Sequence, residues 1–155
     1  RSLAHVTKLA LGGTEVTDRG LANLAGMGQF VWLDVSHTQV TDVGIGLLKN
    51  AVKLKQLSLD GTNVTDAALT TVGRYTELEE LDLSGTNITG AGLRRLAGLS
   101  ELKVLWLTGT QIEDADLTHV MGFKKLEVLE LSGTRVTREG WNQLRKALPQ
   151  LKAGI

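Results

Sequence analysis

Residues 54–77 read LKQLSLDGTNVTDAALTTVGRYTE, and residues 78–101 read LEELDLSGTNITGAGLRRLAGLSE. Both follow one pattern, L-x-x-L-x-L-x-x-T-x-V-T-D-x-G-L-x-x-L-x-x-L-x-x. Working outward at the same spacing, Val6, Phe30, Leu54, Leu78, Leu102 and Leu126 open six copies, 24 residues apart without a slip. Self-similarity at a fixed period marks a stack of repeated units.

Each half of the unit has its own physical signature. In L-x-x-L-x-L the apolar residues end in alternation, as a half-buried strand requires. At Gly92, Leu93, Leu96 and Leu99 the spacing becomes three, as one face of a short helix requires. Thr17, Thr41, Thr65, Thr89 and Thr137 stand where helix N-caps are expected, often followed by an aspartate that favours the positive end of the helix dipole. A strand and a helix within 24 residues cannot bury their apolar faces alone, so they stack on neighbouring copies, parallel strand beside parallel strand. The threonine column Thr14, Thr38, Thr62, Thr86, Thr110 and Thr134 is expected to bond turn backbone between rungs. Gly20, Gly44, Gly92 and Gly140 are expected to keep the helix start close to the turn. Trp141 takes the place of the helix leucines Leu21, Leu69, Leu93 and Leu117, which makes it core, as are Met27, Tyr75, Leu99 and Phe123.

With these residues in view, the chain resembles the leucine-rich repeat, and its T-D-x-G-L half is similar to repeats of bacterial and F-box-associated leucine-rich proteins. The departure is threonine where most such repeats carry Asn or Cys. The resemblance implies a right-handed α/β leucine-rich-repeat solenoid, with a parallel β-sheet on the concave face and short helices on the convex face. It implies a non-enzymatic scaffold for protein–protein or peptide recognition.

Length and composition fit. A chain of 155 residues suits a single solenoid domain over 1–155. Lys+Arg and Asp+Glu are 17 each, so no net charge draws the chain to nucleic acid or a membrane surface. The absence of cysteine excludes disulfides, thiolate metal sites and cysteine nucleophiles. No apolar run is long enough to span a bilayer. Leu3 falls where the last apolar residue of a preceding repeat would lie, which suggests that the natural chain continues N-terminally or that this end forms a homodimer. Pro149 breaks the pattern at the other end, where Leu148, Leu151 and Ile155 are expected to form a closing strand. Without cysteine-rich caps the chain fits a bacterial or cytosolic repeat protein, with cytoplasm and cell envelope both open.

Alternate strand residues project from the concave face and form columns when the rungs stack. The candidate partner-binding residues in those columns are Trp32, Asp34, His37, Asp60, Glu80, Asp82, Trp106 and Glu130. Against their five carboxylates the strip carries Lys8, a net of minus four. Arg94, Arg95, Lys124, Lys125, Arg145 and Lys146 lie on or near the predicted helices, so acid lines the inside and base the outside. Trp32 and Trp106, three rungs apart, interrupt the strip, and exposed tryptophan is a common binding hot spot. These features point to a basic, partly apolar protein partner. The alternatives are a glycan stacked on the tryptophans, or an architectural, oligomerising role with no ligand.

Catalysis, metals and cofactors find little support. His37 beside Asp34, Asp60 and Ser36 invites a relay or an ion site. Columns on an open sheet diverge, however, and the repeat has no insertion to build a water-excluding pocket. Gly90-Ala-Gly92 lacks the third glycine of a dinucleotide loop, with Arg95 in that place. Asn63-Val-Thr65 and Asn87-Ile-Thr89 match glycosylation acceptors only because the repeat itself reads that way. The dispersed basic residues form no nucleic-acid surface.

Overall fold

The alternating stretch of each repeat becomes a strand of three residues. In the computed structural model, which describes residues 5–152, these are β1 (Lys8–Ala10), β2 (Trp32–Asp34), β3 (Gln56–Ser58), β4 (Glu80–Asp82), β5 (Val104–Trp106) and β6 (Val128–Glu130). They form one parallel sheet in sequence order, and the register pairs residues 24 apart, Leu33 with Leu57 and Leu57 with Leu81. A parallel neighbour needs a crossover connection, and a short helix supplies it in every repeat. The helices are α1 (Asp18–Leu21), α2 (Asp42–Leu47), α3 (Leu69–Val72), α4 (Gly90–Leu93), α5 (Leu117–Val120) and α6 (Arg138–Ala147). Single 3₁₀ turns at Ala22–Leu24, Arg94–Leu96 and Asp114–Asp116 extend three of these crossovers. The result is the α/β solenoid that the periodicity predicts, of the leucine-rich-repeat type that the resemblance implies.

The core lies between sheet and helices as stacked columns. Leu33, Leu81, Leu105 and Leu129 are fully buried, and so are Val35, Leu59, Leu83 and Leu107 two residues on. The helix side contributes Leu21, Ile45, Leu69, Leu93 and Leu117. Trp141 is buried where leucine stands in the other repeats, as are Tyr75, Leu99 and Phe123, while Met27 is half-buried against the same core. The Tyr75 hydroxyl donates to the Leu48 carbonyl at 3.0 Å. Burial pushes its phenol well above the usual tyrosine range.

Polar residues at the turns depart from expectation at one position and exceed it at another. The threonine column does not bridge rungs. Each hydroxyl donates to the carbonyl three residues back in its own turn: Thr38 to Val35, Thr62 to Leu59, Thr86 to Leu83 and Thr110 to Leu107, at 2.5–2.6 Å. A threonine side chain is too short to span the ~4.8 Å to the next strand and satisfies the nearest carbonyl instead. The aspartates after the N-cap threonines do bridge. Asp18 accepts from the Thr41 N–H and hydroxyl (2.8 and 2.7 Å), and Asp42–Thr65, Asp66–Thr89 and Asp114–Thr137 repeat the contact at 2.7–2.8 Å. These aspartates are therefore rung-to-rung staples, and Asp18 and Asp42 also stand in the first turn of their own helices, where the dipole favours them.

Small residues make the staples fit: at the Asp42–Thr65 junction Ala68 takes the place, its N–H donating to Asp42 at 3.2 Å, and at three others it is glycine. A Cβ on Gly44, Gly92 or Gly140 would strike the staple carboxylate of the preceding repeat: Asp18, Asp66 and Asp114 respectively. Gly20 meets only Val16 of its own repeat. One junction is inverted. Gly90 stands where the staple aspartate belongs, and Asp116 of the next repeat fills the space from the opposite side. Asp116 takes the Glu113 N–H at 3.0 Å and closes a capping box with Glu113. Parallel bridges join Thr17–Gln39, Thr41–Asn63, Thr65–Asn87 and Glu113–Arg135. At the inverted junction the Gln111 N–H still donates to the Ile88 carbonyl at 3.2 Å, the counterpart of the bonds from Gln39, Asn63, Asn87 and Arg135 at the other junctions.

At the C-terminal end, Leu148 and Leu151 are buried and the Lys152 N–H donates to the Glu127 carbonyl at 2.8 Å, as if opening another rung. The residues that would carry the expected closing strand onward, 153–155, lie outside the described residues. Leu3 and Ile155 lie outside the described residues.

Candidate functional site

The strands present their first and third residues outward and bury the middle one. This places Trp32 and Glu80 in one outward column, and Asp34, Asp82, Trp106 and Glu130 in the next. The tryptophans thus face each other diagonally rather than along one line. Three rungs at ~4.8 Å and two residues at ~3.3 Å separate their Cα atoms by roughly 16 Å. Both indoles line one depression of about 160 Å³, floored by Gln56, Leu57 and Ser58 and walled by Glu80 and Asp82.

The carboxylates differ in how free they are. Asp34 and Asp82 each spend one oxygen on a turn N–H, from Ser36 at 2.8 Å and Ser84 at 2.9 Å. Glu130 does the same with the Ser132 N–H at 3.1 Å and also takes the Ser132 hydroxyl. Such side-chain-to-backbone bonds two residues on hold the turn that ends the strand. Glu80 has no hydrogen-bond or ion-pair partner among the described residues and lies beside the depression with its charge uncompensated.

His37 and Asp60 form a separate feature at the strand ends. In five other repeats this turn carries glycine with φ between 63° and 71°, and His37 adopts φ 51° in the same place. Left-handed backbone costs an L-residue roughly 1–2 kcal/mol. The imidazole reaches Asp60 Oδ2 at 3.0 Å and lies over Gly61, where a Cβ would meet it. The His37 side chain is 65% exposed, so this contact is a surface pair. It lies outside the residues lining the tryptophan depression. The structure therefore gathers Trp32, Glu80, Asp82 and Trp106 at one place, and sets Asp34, the His37–Asp60 pair and Glu130 around it. Among the described residues no group of three or more His, Asp and Glu side chains is arranged to hold a metal ion.

Beside the acidic columns runs a charge ladder that sequence reading passed over. Lys55 Nζ lies 3.3 Å from one oxygen of Glu79, and Lys103 Nζ lies 2.6 Å from the other. Lys152 pairs with Glu127 at 2.8 Å. The hydrogen bond from Lys103, and then that from Lys55, holds the Glu79 carboxyl below the usual glutamate range, and Lys152 does the same to Glu127. The signal was available: residues 55, 79, 103 and 127 alternate Lys, Glu, Lys, Glu at the repeat period.

Comparison with known proteins agrees with the architecture. A family model described as leucine rich repeats in two copies matches residues 76–119, and one described as a leucine rich repeat matches residues 2–25. No protein of curated function matches the chain. Among solved structures it is similar to a leucine-rich-repeat protein of Leptospira interrogans (TM-score 0.75, 20% identity), covering 99% of this chain and 38% of that one. It is also similar to an internalin of Listeria monocytogenes (TM-score 0.71, 20% identity), covering 97% and 48%, and to internalin C2 of the same organism (0.71, 26%), covering 97% and 71%. The chain thus spans less than half the length of the first two.

Proposed function

We propose that this leucine-rich-repeat chain is a recognition scaffold that binds a protein or peptide segment across its concave sheet, with Trp32 and Trp106 bracketing the contact. The observation that carries this reading is the depression shared by the two indoles, with the uncompensated Glu80 beside it. An aromatic wall buries area at small entropic cost, and a carboxylate desolvated against it selects a cationic partner. Because packed rungs fix the sheet, little ordering cost falls on binding. An open sheet of stacked strands favours many parallel contacts with a partner over the enclosed, water-excluding pocket that catalysis needs, which supports binding as the activity.

The test compares wild type with the Trp32→Ala/Trp106→Ala variant in affinity capture from source lysate, eluted by a salt gradient. A convex-face variant, Arg94→Glu/Arg95→Glu, serves as control. Capture lost in the tryptophan variant, kept in the control and released early by salt is the expected result. Equal capture by all three overturns the concave site in favour of an architectural role. Asp82→Arg should weaken the same capture while costing less than ~1 kcal/mol of stability, because its bond to the Ser84 N–H is half exposed. Leu81→Ala, one residue away and fully buried, should instead cost ~2–5 kcal/mol.

A further inference from the structure

Trp32 is a wall between two depressions. On one side lies the acidic hollow just described. On the other is a hollow of about 220 Å³ lined by Lys8, Val31, Lys55, Gln56 and Glu79. Lys8, Trp32, Gln56 and Glu80 are successive Cα partners across four strands. One column therefore carries an ammonium, an indole, an amide and a carboxylate in that order.

The two end charges are the unspent ones. Glu79 is neutralised by Lys55 and Lys103 on its two oxygens, whereas Lys8 and Glu80 have no ion pair among the described residues. Asp82, next to Glu80 in the hollow, keeps one oxygen free of the Ser84 N–H.

We infer that this column reads a ligand at two points: an extended peptide whose arginine sits over Glu80 and Asp82 and whose acidic side chain sits over Lys8, with the three residues between them crossing Trp32 and Gln56. The inference rests on the concave-face reading above. Arginine is specified over lysine because its planar guanidinium stacks on an indole and presents a donor fork to paired carboxylates. Three rungs at ~4.8 Å separate the charged ends by roughly 14 Å, which an extended chain covers in about four residue steps of ~3.3 Å. Parity sharpens the rule. Side chains alternate along an extended segment, so only even spacings put both charges on the face toward the protein. The recognised pattern is an arginine and an acidic residue four apart, in either order, because the two charges do not fix chain direction.

The test uses the whole chain and fluorescent synthetic peptides of Gly, Ser and Thr carrying Arg and Glu three, four or five residues apart in both orders. Binding is followed by anisotropy at low ionic strength, where exposed charges are least screened. The spacing of four should bind about tenfold more tightly than three or five, and about tenfold more tightly than the same peptide with Gln for Glu. Lys8→Glu, on the exposed first strand, should abolish that advantage and transfer it to a peptide with two arginines four apart. Equal affinity at all spacings, or no response to Lys8→Glu, overturns the two-point reading. If arginine-only peptides still bind and lose affinity in Trp32→Ala/Trp106→Ala, the concave site stands and only the pairing rule falls. If no peptide responds to the tryptophan changes, both readings fall.

Discussion

Gly90 and Asp116 share one space: a Cβ on Gly90 would collide with the Asp116 carboxylate. At the neighbouring junctions the carboxylate comes from the earlier repeat and the small residue from the later one, as with Asp66 and Gly92 or Asp114 and Gly140. The inversion makes these two positions energetically dependent. Gly90→Asp alone places two carboxylates together and should cost ~2–4 kcal/mol, and Asp116→Gly alone loses the capping box and should cost ~1–2 kcal/mol. The pair together should cost less than their sum, and adding Glu113→Thr should recover more by restoring a hydroxyl to the junction. Urea denaturation of the single, double and triple variants measures this, and additivity of the two single changes would refute the dependence.

The staples themselves are testable at a regular junction. Asp66 accepts two charge-assisted hydrogen bonds from Thr89, one of them from a backbone N–H. Asp66→Ala leaves that N–H unsatisfied in a half-buried site and should lower stability by ~2–3 kcal/mol, with Asp66→Asn intermediate. Hydrogen exchange at the Thr89 amide should quicken in the same order. Unchanged exchange would mean that water replaces the staple without loss.

His37 poses the opposite case. His37→Gly relieves left-handed strain and gives up only an exposed pair with Asp60, worth ~0–1 kcal/mol. The variant should be as stable as wild type or up to ~1 kcal/mol more stable. A clear loss of melting temperature would show that the imidazole does more for the turn than its one contact indicates.

The Lys–Glu ladder sets a pH dependence. The folded-state carboxyls of Glu79 and Glu127 lie below their usual range, so their contribution is present above that range and is lost as pH falls through the lowered values. Lys103 is raised by its hydrogen bond to Glu79, so its contribution is lost as pH rises through the raised value. Melting temperature should therefore fall at the acid and alkaline extremes, and less steeply in high salt because the pairs are exposed. Glu79→Gln should remove part of the acid limb. An acid limb identical in that variant would take the ladder out of the account.

The period made the fold legible, because a mistake in register would have turned Leu33, Leu57 and Leu81 outward together. The outward columns followed from the same alternation. Less legible was the partner of each polar turn residue. Asp66 looks like a helix-start aspartate because local rules satisfy it within one repeat, whereas its acceptor oxygens are used by Thr89, 23 residues on. The threonine hydroxyls erred the other way, their reach being too short for the bridge assigned to them. The diagonal of Trp32 and Trp106 was open to counting, since one is the first and the other the third residue of its strand. That they share one hollow depends on how the side chains lean, which spacing does not fix.

The inverted junction bears on how such a chain could have changed length over time. Repeat arrays grow and shrink by duplicating or excising whole units. Excising residues 78–101 here would set Asp66 against Asp116, two carboxylates in one slot, while excising 102–125 would set Gly90 against Gly140 and leave the slot without a staple. The fourth and fifth units are therefore heritable only as a couple, a fixed point in an otherwise interchangeable series.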